Sequence, residues 1–423
     1  MQRVVLTNAN LIDVDAGARP QAVIDIVGDR IEAVTFGGAP PRGPDVRVVD
    51  LQGASVMPGL FNCHYHATYR GVGGGAPLPV GMDASPGLQT LRAAEHLRLA
   101  LDCGFTGVVS AGAPYAIDAA LKLAVEEGTI PGPRIMAGSR DVSTTGHSQD
   151  LYYPWHWGDG PPPSISRCDG PDEFRRGVRN EVKRGAEIIK IFATGGHGVQ
   201  GVPEKMELTR EELAAATEAA HQRNAKIRAH IANKLGIMTA LEVGVDVIDH
   251  GDGLDQEGID KFLETGAFLA PSMLYPYRVS QICTGPFIDK MRADMDAMAK
   301  VLSVANKAGV RLVLGDDFGA VPLDHGTYAD ELDFYVNFVG VPALDVIRWG
   351  TRNGALLMGR SHELGDIKAG ALADLIVVDG DPIADIAVLK DKSRLAAVMK
   401  GGVFHKDALD TLRAPSRAAL SVA

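Results

Sequence analysis

His64 and His66 stand two residues apart in His64-Tyr65-His66. On a β-strand, residues i and i+2 point to the same face, so both imidazoles can grip one metal ion from one side. Lys190 lies among isoleucines in Ile188-Ile189-Lys190-Ile191. A buried ammonium is costly there, so this lysine either snorkels to solvent or has a chemical purpose. His230 follows Ile227-Arg228-Ala229, His250 follows Val247-Ile248-Asp249, and Asp316-Asp317 follow Leu314-Gly315. Each signal is weak alone. Each nevertheless falls at the C-terminal end of a short apolar run, and together they form a converging set of nitrogen and oxygen donors. That set suits a zinc-like ion with positions left open for water.

The elements that must position these residues follow a repeating rhythm. Apolar runs at 60–66, 105–110, 134–139, 187–193, 226–230, 245–250, 266–271 and 310–317 alternate with helical patterns at about 87–103, 116–128, 171–185, 209–223, 234–244, 255–265, 287–308 and 342–358. Thr209-Arg210-Glu211-Glu212 is a capping box. Eight strand–helix units in succession imply a parallel sheet, and eight is the number that closes a (β/α)8 TIM barrel, whose catalytic residues sit at the C-terminal strand ends. An open doubly wound sheet is the alternative. It normally carries a GxGxxG turn after its first strand, whereas Gly73-Gly74-Gly75 follows the histidine pair and lacks that spacing. The two chain ends have another texture: β-branched runs broken by Asn, Gly and Asp, with hairpin signals at Gly28-Asp29 and Gly401-Gly402. Neither end alone buries enough apolar surface to be stable, so they are expected to pair into one small β-sandwich domain. The expected division is 1–57 and 359–423 for that domain and 58–358 for the barrel.

Composition sets the remaining bounds. The 423 residues are 46% apolar and 22% charged, which excludes a disordered chain. The net charge of −11 argues against nucleic acid or an anionic membrane as partner. Cys63, Cys103, Cys168 and Cys283 form no CxxC pair, so free thiols are expected rather than a disulfide scaffold or a cysteine-rich zinc site. The N-terminal segment has no secretory pattern and no apolar run is long enough to span a membrane, so the expected location is cytoplasmic.

With these motifs in place, the chain resembles the amidohydrolase superfamily over nearly its whole length. Within it the resemblance is to the imidazolonepropionase-like group, which includes Xaa-Pro and Xaa-Arg dipeptidases and ochratoxin-hydrolysing enzymes. The resemblance is carried by Pro58-Gly59-Leu60 through His64-Tyr65-His66, by Gly185 through Lys190 with Ala193-Thr194-Gly195-Gly196, by Gly244-Val245-Asp246 through Asp249-His250-Gly251, and by Gly370 through Asp374-Leu375-Ile376-Val377 with Gly380-Asp381-Pro382. There are departures. The Arg-Asp step common on strand two reads Val109-Ser110, the Gly-Thr-Asp of strand eight reads Gly315-Asp316-Asp317, and the Gly-Gly-His of the strand-three loop reads Thr145-Gly146-His147. Aligning glycine with glycine puts the catalytic role on Asp317 and leaves Asp316 in the threonine position.

The resemblance implies a binuclear metal-dependent hydrolase of an amide or peptide bond in a small substrate, of dipeptide or N-acyl amino acid type, attacked by metal-bound hydroxide. His64, His66 and Asp317 would hold the more buried ion and His230 and His250 the second, with zinc the expected metal. Lys190, carboxylated by carbon dioxide to a carbamate, would bridge them. Asp317 would move the proton and His147 would polarise the carbonyl. A desolvated lysine beside cations loses its proton readily, which accounts for a lysine on an apolar strand. Tyr152, Tyr153, Trp155 and Trp157 form either an aromatic wall for an acyl group or a patch between subunits of a homo-oligomer. Tyr275 and Arg278, after strand seven, are further substrate candidates; Arg278 would clamp a carboxylate or lie on the surface. A single-metal deaminase or a carbamate- or urea-type hydrolase on the same barrel is the alternative, and a non-catalytic scaffold a third reading.

Overall fold

β-Branched runs separated by glycine turns build the first sheet. A computed structural model describes residues 3–73, 78–153, 156, 163–197, 199 and 205–412. It divides into two compact units, Met1–Phe61 with Leu99–Gly107 and Tyr328–Ala423, and Asn62–Arg98 with Val108–Thr327. In the first unit Gly17–Val27 pairs antiparallel with Arg30–Phe36 across Gly28, whose φ of 62° suits the tight turn. Leu395–Lys400 pairs with Val403–Asp407 across Gly401-Gly402. Leu375–Val378, near the C-terminus, lies antiparallel to Ser55–Pro58, near the N-terminus. Both ends of the chain thus contribute to one eight-stranded sheet. Its core buries Leu6, Ile24, Val56, Leu375, Val377 and Met399.

The second unit holds the parallel strands of a TIM-barrel-type α/β fold. Seven of them, Ile165–Arg167, Gly138–Ser143, Ile188–Phe192, Lys226–Ile231, Val247–His250, Phe268–Ala270 and Arg311–Leu312, pair in that order, every pair parallel. Leu60–Tyr65, Phe105–Ser110 and Arg134–Met136 form a three-stranded sheet. Strand one reaches the chain after Arg311–Leu312 through a hydrogen bond from the Cys63 N–H to the Leu314 carbonyl at 2.6 Å. Gly315 makes this approach possible: a Cβ there would lie 2.1 Å from the His64 nitrogen, and its φ is 148°.

Several elements differ from the expected pattern. The third run splits at Ala137 into Arg134–Met136 and Gly138–Ser143, because the Ala137 carbonyl accepts from Glu187 and Ile188 instead of continuing the ladder. The eighth shrinks to Arg311–Leu312, although Val313 N–H still donates to the Leu269 carbonyl at 3.0 Å. Ile165–Arg167 is an added strand, and Leu274–Ile282 an added helix. The capping box at Thr209 forms as expected: Glu212 N–H donates to Thr209 Oγ at 3.2 Å and Thr209 N–H to Glu212 Oε2 at 2.8 Å. Thr209→Ala should cost about 1 kcal/mol, read as a lower melting temperature with unchanged turnover. The four cysteines are free. Among the described residues no helix is long and apolar enough to cross a membrane.

Candidate metal centre

The residues singled out by their strand-end positions converge in the second unit. His64 and His66 are 1% and 2% exposed. Their outer nitrogens are fixed by the chain. Ser272 Oγ donates to the Gly315 carbonyl at 2.8 Å, so its oxygen accepts from His64 Nδ1 at 3.0 Å. His66 Nδ1 donates to the Gly112 carbonyl at 3.2 Å. Each Nε2 is therefore left with a lone pair, and both face Asp317 Oδ1 at 3.3 Å. Two nitrogen acceptors and a carboxylate oxygen without a hydrogen between them repel one another. A cation among them removes the conflict, and tetrahedral ligands at about 2.0–2.1 Å from a shared ion stand about 3.3 Å apart.

His250 continues the cluster. A ligand atom of His250 lies within 4.8 Å of those of His64 and Asp317, and its buried Nδ1 has no hydrogen-bond partner. Its φ of 71° lies in the left-handed region, unusual for a non-glycine residue, and marks backbone strain there. His230 packs against it with ring centroids 4.4 Å apart and donates Nε2–H to the Gly196 carbonyl at 3.0 Å, which frees Nδ1. Burial pushes the His64 imidazole down to about 4 and lowers His66, His230 and His250 as well. All four are thus held neutral at pH 7, the form that binds metal.

The adjacent aspartates separate cleanly. Asp316 turns away: its carboxylate accepts from the backbone N–H groups of Leu274 at 2.8 Å, Tyr275 at 3.1 Å and Asp317 at 2.8 Å. It anchors the start of the helix Leu274–Ile282, while Asp317 faces the histidines.

Lys190 does not reach solvent. It is 1% exposed, and its Nζ lies 2.6 Å from Asp249 Oδ2. Asp249 and Arg228 are fully buried. Arg228 grips Asp249 with Nε, at 3.0 Å, and with Nη2, while Nη1 donates to the carbonyls of Cys63 at 2.8 Å and Ser110 at 2.9 Å. Burial alone would raise the Asp249 carboxyl, but Arg228 and Lys190 outweigh it and hold it well below the usual range. Asp141 lies in register with Lys190, and burial pushes its carboxyl up to about 7. Asp249 is therefore the counter-anion of Lys190.

The remaining candidates lie as follows. His147 is buried, meets Ser143 Oγ through Nδ1 at 3.2 Å, and has no partner for Nε2. Tyr275 joins His66, Lys190, His230, His250 and Asp317 in lining one cavity, a concave site with convergent polar groups of the kind that binds small molecules. Arg278 is half-buried on the same helix and does not line that cavity. Tyr153 is half-buried; Trp155, Trp157 and the Tyr152 side chain lie outside the described residues.

Sequence reasoning missed Asp249, Arg228 and His197. His197 follows Gly195-Gly196 and stacks on His250 at 3.8 Å. Its Nδ1 meets Asp252 Oδ2 at 3.1 Å and its Nε2 the Ser272 carbonyl at 3.0 Å. The parity of Arg228 with His230, two residues apart on one strand, was an available signal for Arg228 alone.

The chain has relatives among known proteins. Ochratoxinase of Aspergillus niger is 30% identical over 379 residues, covering 83% of this chain and 75% of that protein. Imidazolonepropionase of Xanthomonas campestris pv. campestris is 26% identical over 426 residues, covering 90% and 94%. The crystal structure of a prolidase complexed with N-methylphosphonate-L-proline superposes with a TM-score of 0.85 at 28% identity, over 96% of this chain and 100% of that one. The profile described as Amidohydrolase family matches residues 55–404, so the chain belongs to the amidohydrolase family and is a hydrolase of carbon–nitrogen bonds.

Proposed function

We propose that the protein is a binuclear metal-dependent amidohydrolase that cleaves an amide or peptide bond in a small substrate of dipeptide or N-acyl amino acid type, on a (β/α)8 barrel accompanied by a β-sandwich. One observation carries this reading: the Nε2 lone pairs of His64 and His66 meet Asp317 Oδ1 at 3.3 Å with nothing to reconcile them. His64, His66 and Asp317 would hold one ion, His230 and His250 the other, and Lys190, carboxylated at Nζ, would supply the anion between them. Two divalent ions, most simply zinc, make water a nucleophile near neutral pH and polarise a carbonyl.

The chain's own residues do the rest. Asp317 accepts the proton of the attacking water and delivers it to the leaving nitrogen. His147 turns its unpartnered Nε2 to the carbonyl oxygen, where a donor stabilises the developing negative charge; Ser143 holds the ring from behind. Arg228 keeps Asp249 neutralised once Lys190 leaves it, so carboxylation of Nζ strands no buried charge. The likeness to a prolidase and to a Xaa-Pro dipeptidase, each at 28% identity over 96% of this chain, supports the peptide-bond class.

Elemental analysis tests the proposal. About two divalent ions per chain are expected, with hydrolysis of N-acyl amino acids or dipeptides abolished by a chelator and restored by zinc. One ion per chain with deamination of a cyclic amidine would favour the single-metal alternative. No bound metal and no turnover would leave only a scaffold.

A further inference from the structure

A second, narrow cavity opens beside the candidate metal centre. Its lining includes Met273, Met291 and Met295 together with Pro276, Ala232 and His197. Its position is informative. Gly196 and His197 follow the strand Ile188–Phe192, Ala232 follows Lys226–Ile231, Asp252 follows Val247–His250, and Met273 and Pro276 follow Phe268–Ala270. These are the same C-terminal strand ends that carry His230 and His250. The helix Pro286–Ala308 closes the remaining side with Met291 and Met295. His197 lines both this cavity and the one containing Lys190 and Asp317.

The lining states what the cavity accepts. Its charged members are matched among themselves: Asp252 meets His197, and Asp294 meets Lys290 at 2.7 Å on the helix. The His197 edges are both engaged, by Asp252 and by the Ser272 carbonyl, so that ring offers an incoming group no polar atom. The three methionine side chains are unbranched and conform to a flexible chain. We propose that this cavity is a side-chain subsite of the amide substrate, selecting an unbranched aliphatic side chain that passes over His197 from the metal cavity. The proposal rests on the hydrolase reading of that cavity. It also predicts a preference distinct from the aromatic one expected from 152–157.

The test is calorimetric binding of N-acetyl-L-norleucine and N-acetyl-L-alanine to the metal-loaded protein, followed by hydrolysis of both. The three extra methylenes should improve Kd by about tenfold or more. Met291→Trp, which fills the cavity from its half-buried rim, should erase that preference and leave alanine binding within about twofold. Met291→Ala, which cannot fill it, should weaken the norleucine compound alone and so guards against misfolding of the larger variant. Equal affinity of the two compounds for the wild type, no binding of the norleucine compound, or a preference that survives Met291→Trp overturns the subsite. Side-chain selectivity in binding without hydrolysis of any amide would support the subsite and defeat the hydrolase reading. Hydrolysis of both compounds without preference would do the reverse.

Discussion

Asp317→Asn is expected to lower kcat by roughly 10²–10⁴-fold, the usual worth of a positioned acid–base group, and to reduce metal affinity at the same time. The amide cannot accept a proton from water, and its nitrogen would turn a donor toward the centre or its weaker oxygen toward two histidines. Asp316→Asn is expected to behave differently. Asp316 accepts three backbone N–H groups at the start of the helix Leu274–Ile282, so losing acceptor capacity there costs roughly 1–3 kcal/mol of stability. Turnover per folded, metal-loaded chain should fall by less than about tenfold, because the helix carries Tyr275 into the cavity but no metal-facing group. Steady-state kinetics, melting temperature and metal content of the two variants decide the matter. The reverse ranking, with Asp316→Asn inactive and Asp317→Asn merely unstable, would exchange their roles and void the proposed proton path.

That these aspartates could be told apart at all shows where sequence reading succeeds and stops. His64, His66, Lys190 and His230 were legible because each sits in an apolar run and points inward by simple alternation, whereas Asp317 was separated from Asp316 only by the glycine alignment that the family resemblance supplied. The pairing of both chain ends was legible as well, since strands of that texture cannot stand alone. Asp249 and His250 are adjacent, and strict alternation would send them to opposite faces. The backbone at His250 adopts a φ of 71°, which lets both act on the interior; no residue type announces that. Arg228 read as one polar residue in an apolar strand. Its purpose depends on carbonyls at Cys63 and Ser110 and on Asp249, all distant in sequence. Strand five thereby delivers a guanidinium to the Ser110 carbonyl of strand two. His197 is set by Asp252, 55 residues away. Such pairings belong to the three-dimensional arrangement and leave no local periodicity.

Lys190→Ala tests the proposed bridge between the two ions. Lys190 neutralises part of Asp249, and Arg228 neutralises the rest. Removing Nζ therefore still leaves Asp249 paired with a buried guanidinium, and the variant should fold. The loss should appear in the metal content, since no other anion replaces the proposed carbamate between the two ions. Metal content should fall from about two ions per chain to one or fewer, and turnover by at least about 100-fold, more than the 10–100-fold typical of supporting residues. Acetate or a similar small carboxylate should restore part of both, by occupying the space of the missing side chain. Arg228→Met provides the contrast. It leaves Asp249 with Lys190 as its only cation, so the ammonium form is held and carboxylation is opposed. With 13C-bicarbonate, the wild type should show a carbamate carbon signal that disappears in Lys190→Ala and in Arg228→Met alike. A Lys190→Ala enzyme that keeps two ions and full turnover would refute the bridging role. A carbamate signal undiminished in Arg228→Met would show that the buried arginine holds the strands and has no part in freeing the lysine.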